Sequence, residues 1–318
     1  MRASLWAVRA AVLKAYDRPP EPGTFQAPEA DGEGIVQVAA AGLNPIDLYT
    51  AAGGLPTKPP LPSVVGREGV GRLSGRRVYF DRSVPPFGSM AERTRIDPAT
   101  AIEVPDDVDD PLAVCFGIAG LAAWLGLEWR GHLAEGETVL VLGASGVVGQ
   151  IAVQAARLLG AGRVVAAARD PDGLERAQSE LGADGAVALD AGGDELVERF
   201  RDAAGGDVDL VVDPIWGPAA VAALQALGED GRLVQIGNAA GASTEMPARP
   251  IRTHIRSIVG HTNFSAPHDV KRAAFRTMCE HAAAGKLVVP VEIVGLDDVT
   301  DAWRRQAESP HHKLVIRP

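Results

Sequence analysis

Cysteine is nearly absent from this chain: Cys115 and Cys279 are the only two in 318 residues. Two thiols cannot build a disulfide framework or a four-thiolate zinc site. The scarcity fits a reducing compartment, and a cytoplasmic protein is expected. A long apolar run is missing too. The longest stretch, Pro111 to Trp124, falls well short of the roughly 20 residues that a membrane span needs, so no membrane partner is expected. The opening MRASLWAVRAAVLKAY carries apolar residues, but Arg9 and Lys14 interrupt it too early for a signal peptide. There is also no block of Lys and Arg. Acidic residues outnumber basic ones by 41 to 31, a formal net charge of −10, which argues against nucleic acid as a partner.

What remains is the composition of an ordinary globular protein, with 46% hydrophobic and 23% charged residues. The length is generous for one core and comfortable for two. The 36 glycines and 23 prolines are scattered and show no period.

The first ~110 residues read as short strands and turns. RAAVLKAY and GIVQVAAAG have strand character, separated by a Pro/Gly/Glu-rich segment; GGLPTKPPLPSVVG is turn-rich, and RRVYF reads as a strand. The texture changes near Pro111. CFGIAGLAAWLGL reads as a buried helix, and strands then alternate with helices. ETVLVLG is a continuous apolar strand of the kind buried on both faces of a parallel sheet. GVVGQIAVQAARLLG is a helix that ends at glycine. RVVAAAR and PDGLERAQSELG, then VDLVVD, AAVAALQAL, GRLVQIG and SIVGHT, continue the alternation. Such spacing predicts a doubly wound parallel sheet. Beyond Thr262 come an amphipathic helix in DVKRAAFRTMCEHAAAG, a strand in LVVPVEIV, a helix in LDDVTDAWRRQAES and a last strand in HKLVIRP. The expected division is a nucleotide-binding domain over 113–264, inserted into a second domain built from 1–112 and 265–318.

LVLGASGVVGQ places Gly143, Gly146 and Gly149 at a strand-to-helix turn. One glycine makes the turn, a second lets backbone N–H groups approach a pyrophosphate, and a third lets helix and strand pack closely. The helix N-terminus supplies unpaired donors and positive dipole to the anion, and Ser145, Val147 and Val148 complete the expected cradle. The second strand ends in Ala168 and Arg169, where a carboxylate would hold the ribose hydroxyls of NAD. A guanidinium there grips a 2′-phosphate instead, so NADP(H) is the expected cofactor. The competing reading makes Arg169 an ordinary solvated arginine.

These segments carry a resemblance. LAEGETVLVLGASGVVGQIAVQAARLLGA, AGLNPIDLYTAAGGLP, PFGSMAERTRI and LDDVTDAWRRQAESPHHKLVI, in that order, resemble the zinc-independent medium-chain dehydrogenases/reductases, in particular the quinone oxidoreductase (zeta-crystallin-like) branch. The resemblance implies an α/β fold: a Rossmann domain beside a GroES-like, β-rich substrate domain formed by both chain ends. It also implies a homodimer joined through edge strands, here SIVGHT.

The alcohol dehydrogenases of that superfamily hold catalytic zinc with two cysteines and a histidine. By resemblance those positions are Asn44, Arg67 and Ile118 here, and Arg cannot ligate zinc. Cys115 is close, but one thiolate makes no site, and the four-cysteine structural cluster is missing. No metal is therefore expected. Without a Lewis acid, hydride transfer suits an acceptor that is already electron-poor, a quinone or an α,β-unsaturated carbonyl.

The resemblance puts Tyr49 beside the nicotinamide, where its phenol can bond a developing oxyanion or donate the proton; a packing tyrosine is the plainer reading. Asn44 and Asp47 are expected to orient this loop, the cofactor ribose or the substrate, although an Asx-turn would look the same. Ile236, Gly237 and Asn238, with His261, Thr262 and Asn263, follow later strands and are expected to contact the nicotinamide end. His261 is taken as a contact and not as an acid. His311 and His312 read as surface residues. Two departures bear on substrate: the segment between Gly71 and Arg77 is short for the family, and Ala122 stands where relatives often have threonine. Two alternatives stay open. An enoyl-thioester reductase would need a cation cluster for carrier phosphates, which the linear sequence does not display. A non-catalytic nucleotide-binding protein would bind the cofactor and turn nothing over.

Overall fold

The computed structural model describes residues 7–29 and 33–318. Residues 1–6, on which part of the leader reading rests, lie outside this range. The chain forms two compact units, divided after Ile118, with Phe275–Ala283 and Val289–Pro318 rejoining the first.

The first unit opens with β1 (Ala7–Leu13), β2 (Glu21–Gln26), β3 (Ile35–Gly42), α1 (Pro45–Ala51), β4 (Ser63–Val64), β5 (Glu68–Leu73), β6 (Arg76–Phe80), β7 (Arg93–Arg95), β8 (Ile102–Glu103) and α2 (Asp110–Cys115). The segment after Gly71, expected to be short for the family, forms a two-residue hairpin: Leu73 pairs Arg76, and Ser74 and Gly75 both have positive φ, 49° and 83°. That is the turn whose twist matches its strands.

The next elements are α3 (Ile118–Leu125), β9 (Thr138–Leu142), α4 (Val147–Leu158), β10 (Arg163–Ala168), α5 (Pro171–Ser179), β11 (Gly185–Ala188), α6 (Gly193–Ala204), β12 (Val208–Asp213), α7 (Pro218–Ala226), β13 (Leu227–Gln235), α8 (Ala248–Thr253) and β14 (Ser257–Gly260). Their strands form one parallel sheet in the order β11-β10-β9-β12-β13-β14. This is the 3-2-1-4-5-6 order of a doubly wound nucleotide-binding fold. Val139, Leu140, Val141 and Leu142 have no exposed surface, because helices cover both faces.

The chain closes with α9 (His268–Ala283), β15 (Val291–Gly295), α10 (Val299–Ala307) and β16 (Lys313–Arg317). In the first unit, β16 pairs β3, tying the C-terminal strand to the N-terminal ones in the mostly antiparallel sheet β15-β16-β3-β5-β6-β8, with β7 also on β3. A smaller sheet runs β2-β1-β4.

Two local expectations differ from the fold. CFGIAGLAAWLGL is not one helix: α2 stops at Cys115, α3 starts at Ile118, and a π-helical turn follows over Gly126–Arg130. The break lies at Gly117, where an added Cβ would meet the Tyr79 ring at 2.2 Å and Glu68 Oε2 at 2.3 Å. The segment LNPIDLYTA, which falls in the stretch read as strands and turns, contains α1. Pro45 takes its first turn and the Asp47 carboxylate accepts from the Asn44 N–H at 2.9 Å.

Candidate active site

In the second unit the β9–α4 turn is built around its glycines. Gly143 has φ +62°, a left-handed conformation that costs other residues strain, and an added Cβ would meet Ile215 at 2.7 Å. A Cβ on Gly149 would lie 2.2 Å from the Gly143 carbonyl oxygen and 2.6 Å from Ala144 Cα, so helix and strand touch backbone to backbone. Gly146 is the N-cap of α4, and its N–H donates to the Gly143 oxygen at 3.0 Å. Its added Cβ meets only the Gly143 carbonyl oxygen, at an ordinary contact distance of 3.5 Å. The cradle therefore has one glycine for the turn, one for packing and one facing outward. The first-turn N–H groups of α4, those of Val147 and Val148 among them, have no acceptor within the helix, the kind of end that suits an anion. Ser145 is buried beside them, and its carbonyl accepts from Gln150 Nε2 at 2.6 Å. Arg176 reaches from α5 to Gln150 Oε1 at 2.7 Å.

β10 ends at buried Ala168, and Arg169 follows it exposed. The next carboxylate, Asp170, caps α5 by accepting from the Gly173 N–H at 2.9 Å. The residue types therefore suit a 2′-phosphate at this corner.

The sheet register places Asp213, Ile236–Asn238 and His261–Asn263 at the same carboxyl edge as Gly143. Asp213 is wholly buried; its Oδ1 accepts from Ile215 and Trp216 N–H groups at 3.0 and 2.7 Å, while Oδ2 has no partner among the described residues. Burial pushes its pKa up to about 6. Sequence reasoning missed this group, although an Asp closing an apolar strand was its signal. His261 Nε2 lies 2.9 Å from Asn263 Oδ1, and its ring meets Trp129 edge-on at 6.1 Å. Burial lowers its pKa, which favours the neutral ring near pH 7. Thr262 is exposed.

In the first unit, Asn44, Asp47 and Tyr49 are brought together on α1 and its cap. Tyr49 is 55% exposed. Its ring lies against Gly54, where an added Cβ would sit 2.4 Å from it, and Gly54 N–H donates to the Tyr49 carbonyl at 2.9 Å. Asp47 is buried and accepts from the Asn44 and Arg67 N–H groups at 2.9 and 3.0 Å. Burial, followed by repulsion from Glu68, pushes its pKa up to about 7. Asn44 is tied at both ends of its carboxamide: Nδ2 donates to Glu68 Oε1 at 2.7 Å, and Oδ1 accepts from Lys313 Nζ at 2.6 Å. Lys313 Nζ also reaches Glu68 Oε1 at 2.8 Å, while Tyr79 Oη and the Ile118 N–H donate to Glu68 Oε2 at 3.1 and 2.6 Å. Sequence reasoning missed this buried network as well. Its signal was a Glu and a Lys inside apolar strand sequences, EGVGRL and KLVIR.

Residues 147–280 match the zinc-binding dehydrogenase family. The chain is 31% identical over 295 residues to a phenolphthiocerol/phthiocerol polyketide synthase of Mycobacterium tuberculosis, covering 88% of this chain but spanning only 13% of that protein's length. The quinone oxidoreductase of Thermus thermophilus, solved also in complex with NADPH, superposes with TM-score 0.82 at 29% identity, covering 98% of this chain and 100% of its own. A zinc-type alcohol dehydrogenase-like protein of Schizosaccharomyces pombe is 30% identical over 314 residues, 90% of this chain and 88% of the relative. The chain belongs to the medium-chain dehydrogenases/reductases, in the quinone oxidoreductase branch.

The family description implies zinc, and the donor set of this chain does not fit it. Asn44 is committed to Glu68 and Lys313, Arg67 brings a cation, and Ile118 has no donor. Cys115 is a buried thiol donating to the Pro111 carbonyl at 3.2 Å, its pKa pushed up to about 12 by burial. Among the described residues no three His, Cys, Asp or Glu side chains cluster closely enough to hold an ion.

Proposed function

We propose that the chain is an NADPH-dependent reductase of quinones or α,β-unsaturated carbonyls that works without zinc. The glycine cradle carries this reading. Gly146 opens toward the ligand side, Gly149 brings helix and strand together, and both stand at the carboxyl edge of a 3-2-1-4-5-6 sheet. The relative from Thermus thermophilus, known with NADPH, supports it. Bound NADPH supplies the hydride. The α4 N-terminus and Ser145 hold the pyrophosphate, and Arg169 holds the 2′-phosphate. Ile236–Asn238 and His261–Asn263 line the nicotinamide end. In an enone, hydride adds to the β-carbon and the electron pair moves onto oxygen; the α-carbon then takes one proton, so one NADPH and one proton are consumed per acceptor. Tyr49 donates a hydrogen bond to that oxygen, and Asn44 and Asp47 hold the α1 loop that carries it. In a quinone, hydride gives a hydroquinone anion whose charge conjugation spreads and hydrogen bonding stabilises, and one proton then completes the hydroquinone.

The same reading includes a homodimer in a reducing compartment. β14 is an edge strand of the parallel sheet, and its Ile258 is 38% exposed. Light scattering of the purified chain tests the dimer.

NADPH oxidation with benzoquinone and a simple enone, beside NADH controls and metal analysis, tests the activity. Turnover with NADPH far exceeding NADH, and loss of that gap in Arg169→Ala, is the expected result. Equal use of both cofactors defeats the NADP(H) assignment. One equivalent of zinc defeats the metal-free assignment, and NADPH binding without turnover of any acceptor favours the non-catalytic alternative.

A further inference from the structure

A cavity of about 430 Å3 lies wholly within the first unit, in the size range of small-ligand sites. Three cationic residues line it, Lys58, Arg67 and Arg82, together with Thr50, Ser83 and the acidic Asp47. They come from three separate stretches of chain, which is why no basic run appears in the sequence.

Few negative charges oppose these cations. Among the described residues Asp47 is the only carboxylate in the wall, and it is already bonded to two backbone N–H groups. Asp81 stands outside the wall and attracts Arg67. Lys58 has its ammonium 5.0 Å above the Tyr16 ring, a contact that fixes its position without neutralising it. Burial is the main influence that weakens the hold of Arg67 on its proton; attraction from Asp47 opposes it, and Arg82 adds repulsion. An oxyanion in this cavity would gain charge-assisted hydrogen bonds from cations in its wall.

We infer that this cavity binds an anionic group, a carboxylate or a phosphate, on the acceptor that the enzyme reduces. The inference deepens the acceptor-reductase reading and rests on it for the word acceptor; anion binding by the cavity stands separately. It also supplies the cation cluster that an enoyl-thioester reductase would need and that the linear sequence does not display.

Two matched pairs of acceptors, assayed with the full chain and NADPH, test it. One is trans-acetylacrylate against its methyl ester; the other is crotonyl-coenzyme A against the N-acetylcysteamine thioester. The charged member of at least one pair should be favoured by about tenfold in kcat/KM. A preference in the first pair identifies a carboxylate, and one in the second a carrier phosphate. In Lys58→Gln/Arg82→Gln, two changes at exposed side chains, the ratio should fall toward one. No preference in either pair, or a ratio unmoved by the double variant, overturns the inference. Calorimetric titration of the same four compounds separates the two readings. Without turnover the reductase reading falls, while heat from a charged compound, lost in the double variant, sustains the anion site. No heat from either charged compound would overturn it.

Discussion

Lys313 Nζ stands 2.8 Å from Glu68 Oε1, and the two side chains expose 2% and 0% of their surface. They are 245 residues apart, one on the last strand and one on β5. Asn44, Tyr79 and the Ile118 N–H take up other positions around the same carboxylate, so the pair is hydrogen-bonded on several sides. Removing one partner leaves the other charge buried and uncompensated. Lys313→Met should therefore destabilise the protein by about 3–5 kcal/mol, read by urea denaturation. Lys313→Met/Glu68→Gln should recover part of that loss. A single variant as stable as the parent would show that the pair does not act as a buried ion pair.

Two buried carboxyls impose a pH dependence on folding. The pKa of Asp47 rises from 3.8 to about 7, by burial first and Glu68 second, and that of Asp213 from 3.8 to about 6 by burial. Both groups bind their protons more tightly folded than unfolded. Their contribution is greatest below about pH 4 and is lost as pH rises through about 6 and then about 7. Thermal unfolding from pH 4 upward should show this loss superposed on the other groups, and Asp47→Asn should flatten its upper part. An unchanged slope in that variant would place the titration elsewhere.

The glycines of the cradle separate folding from binding. Gly149→Ala forces a methyl against the backbone of Gly143 and Ala144, so it should lower the melting temperature as well as weaken NADPH binding. Gly146→Ala is different. Its φ of −77° suits any residue and its Cβ would make only an ordinary 3.5 Å contact with the Gly143 oxygen, so the melting temperature should hold. The methyl would stand where the pyrophosphate approaches, raising the Kd for NADPH by about tenfold or more. Fluorescence titration beside a melting curve gives both readouts; undiminished affinity in Gly146→Ala would mean that the phosphates lie elsewhere.

The sheet and its glycine turn were legible because their signals are local. Apolar strands such as Val139–Leu142 and the outward Gly146 follow from neighbouring residues alone. The α1 helix was obscured by its own cap, since Asn44-Pro45 reads as a turn until Asp47 is seen to bond back to it. The helix break at Gly117 depends on Tyr79 and Glu68, which lie far away in sequence. The Glu68–Lys313 network and the three-cation cavity are likewise products of tertiary packing. Charged residues from separate strands and loops converge there without a periodic trace.

Tyr49 offers the last test, because its position and its hydroxyl can be removed independently. The ring is more than half exposed and rests against Gly54. A phenol that donates to the acceptor oxygen is needed in the transition state more than in the ground state, so Tyr49→Phe should lower kcat by about tenfold to a hundredfold for an enone. The KM for NADPH should stay constant. Gly54→Ala keeps the phenol but displaces the ring, and it should lower kcat in the same direction. Loss in the Phe variant alone would mean that the hydroxyl matters and its aim does not. Full kcat in Tyr49→Phe, with an unaltered solvent isotope effect, would make water the proton source and leave Tyr49 as part of the wall.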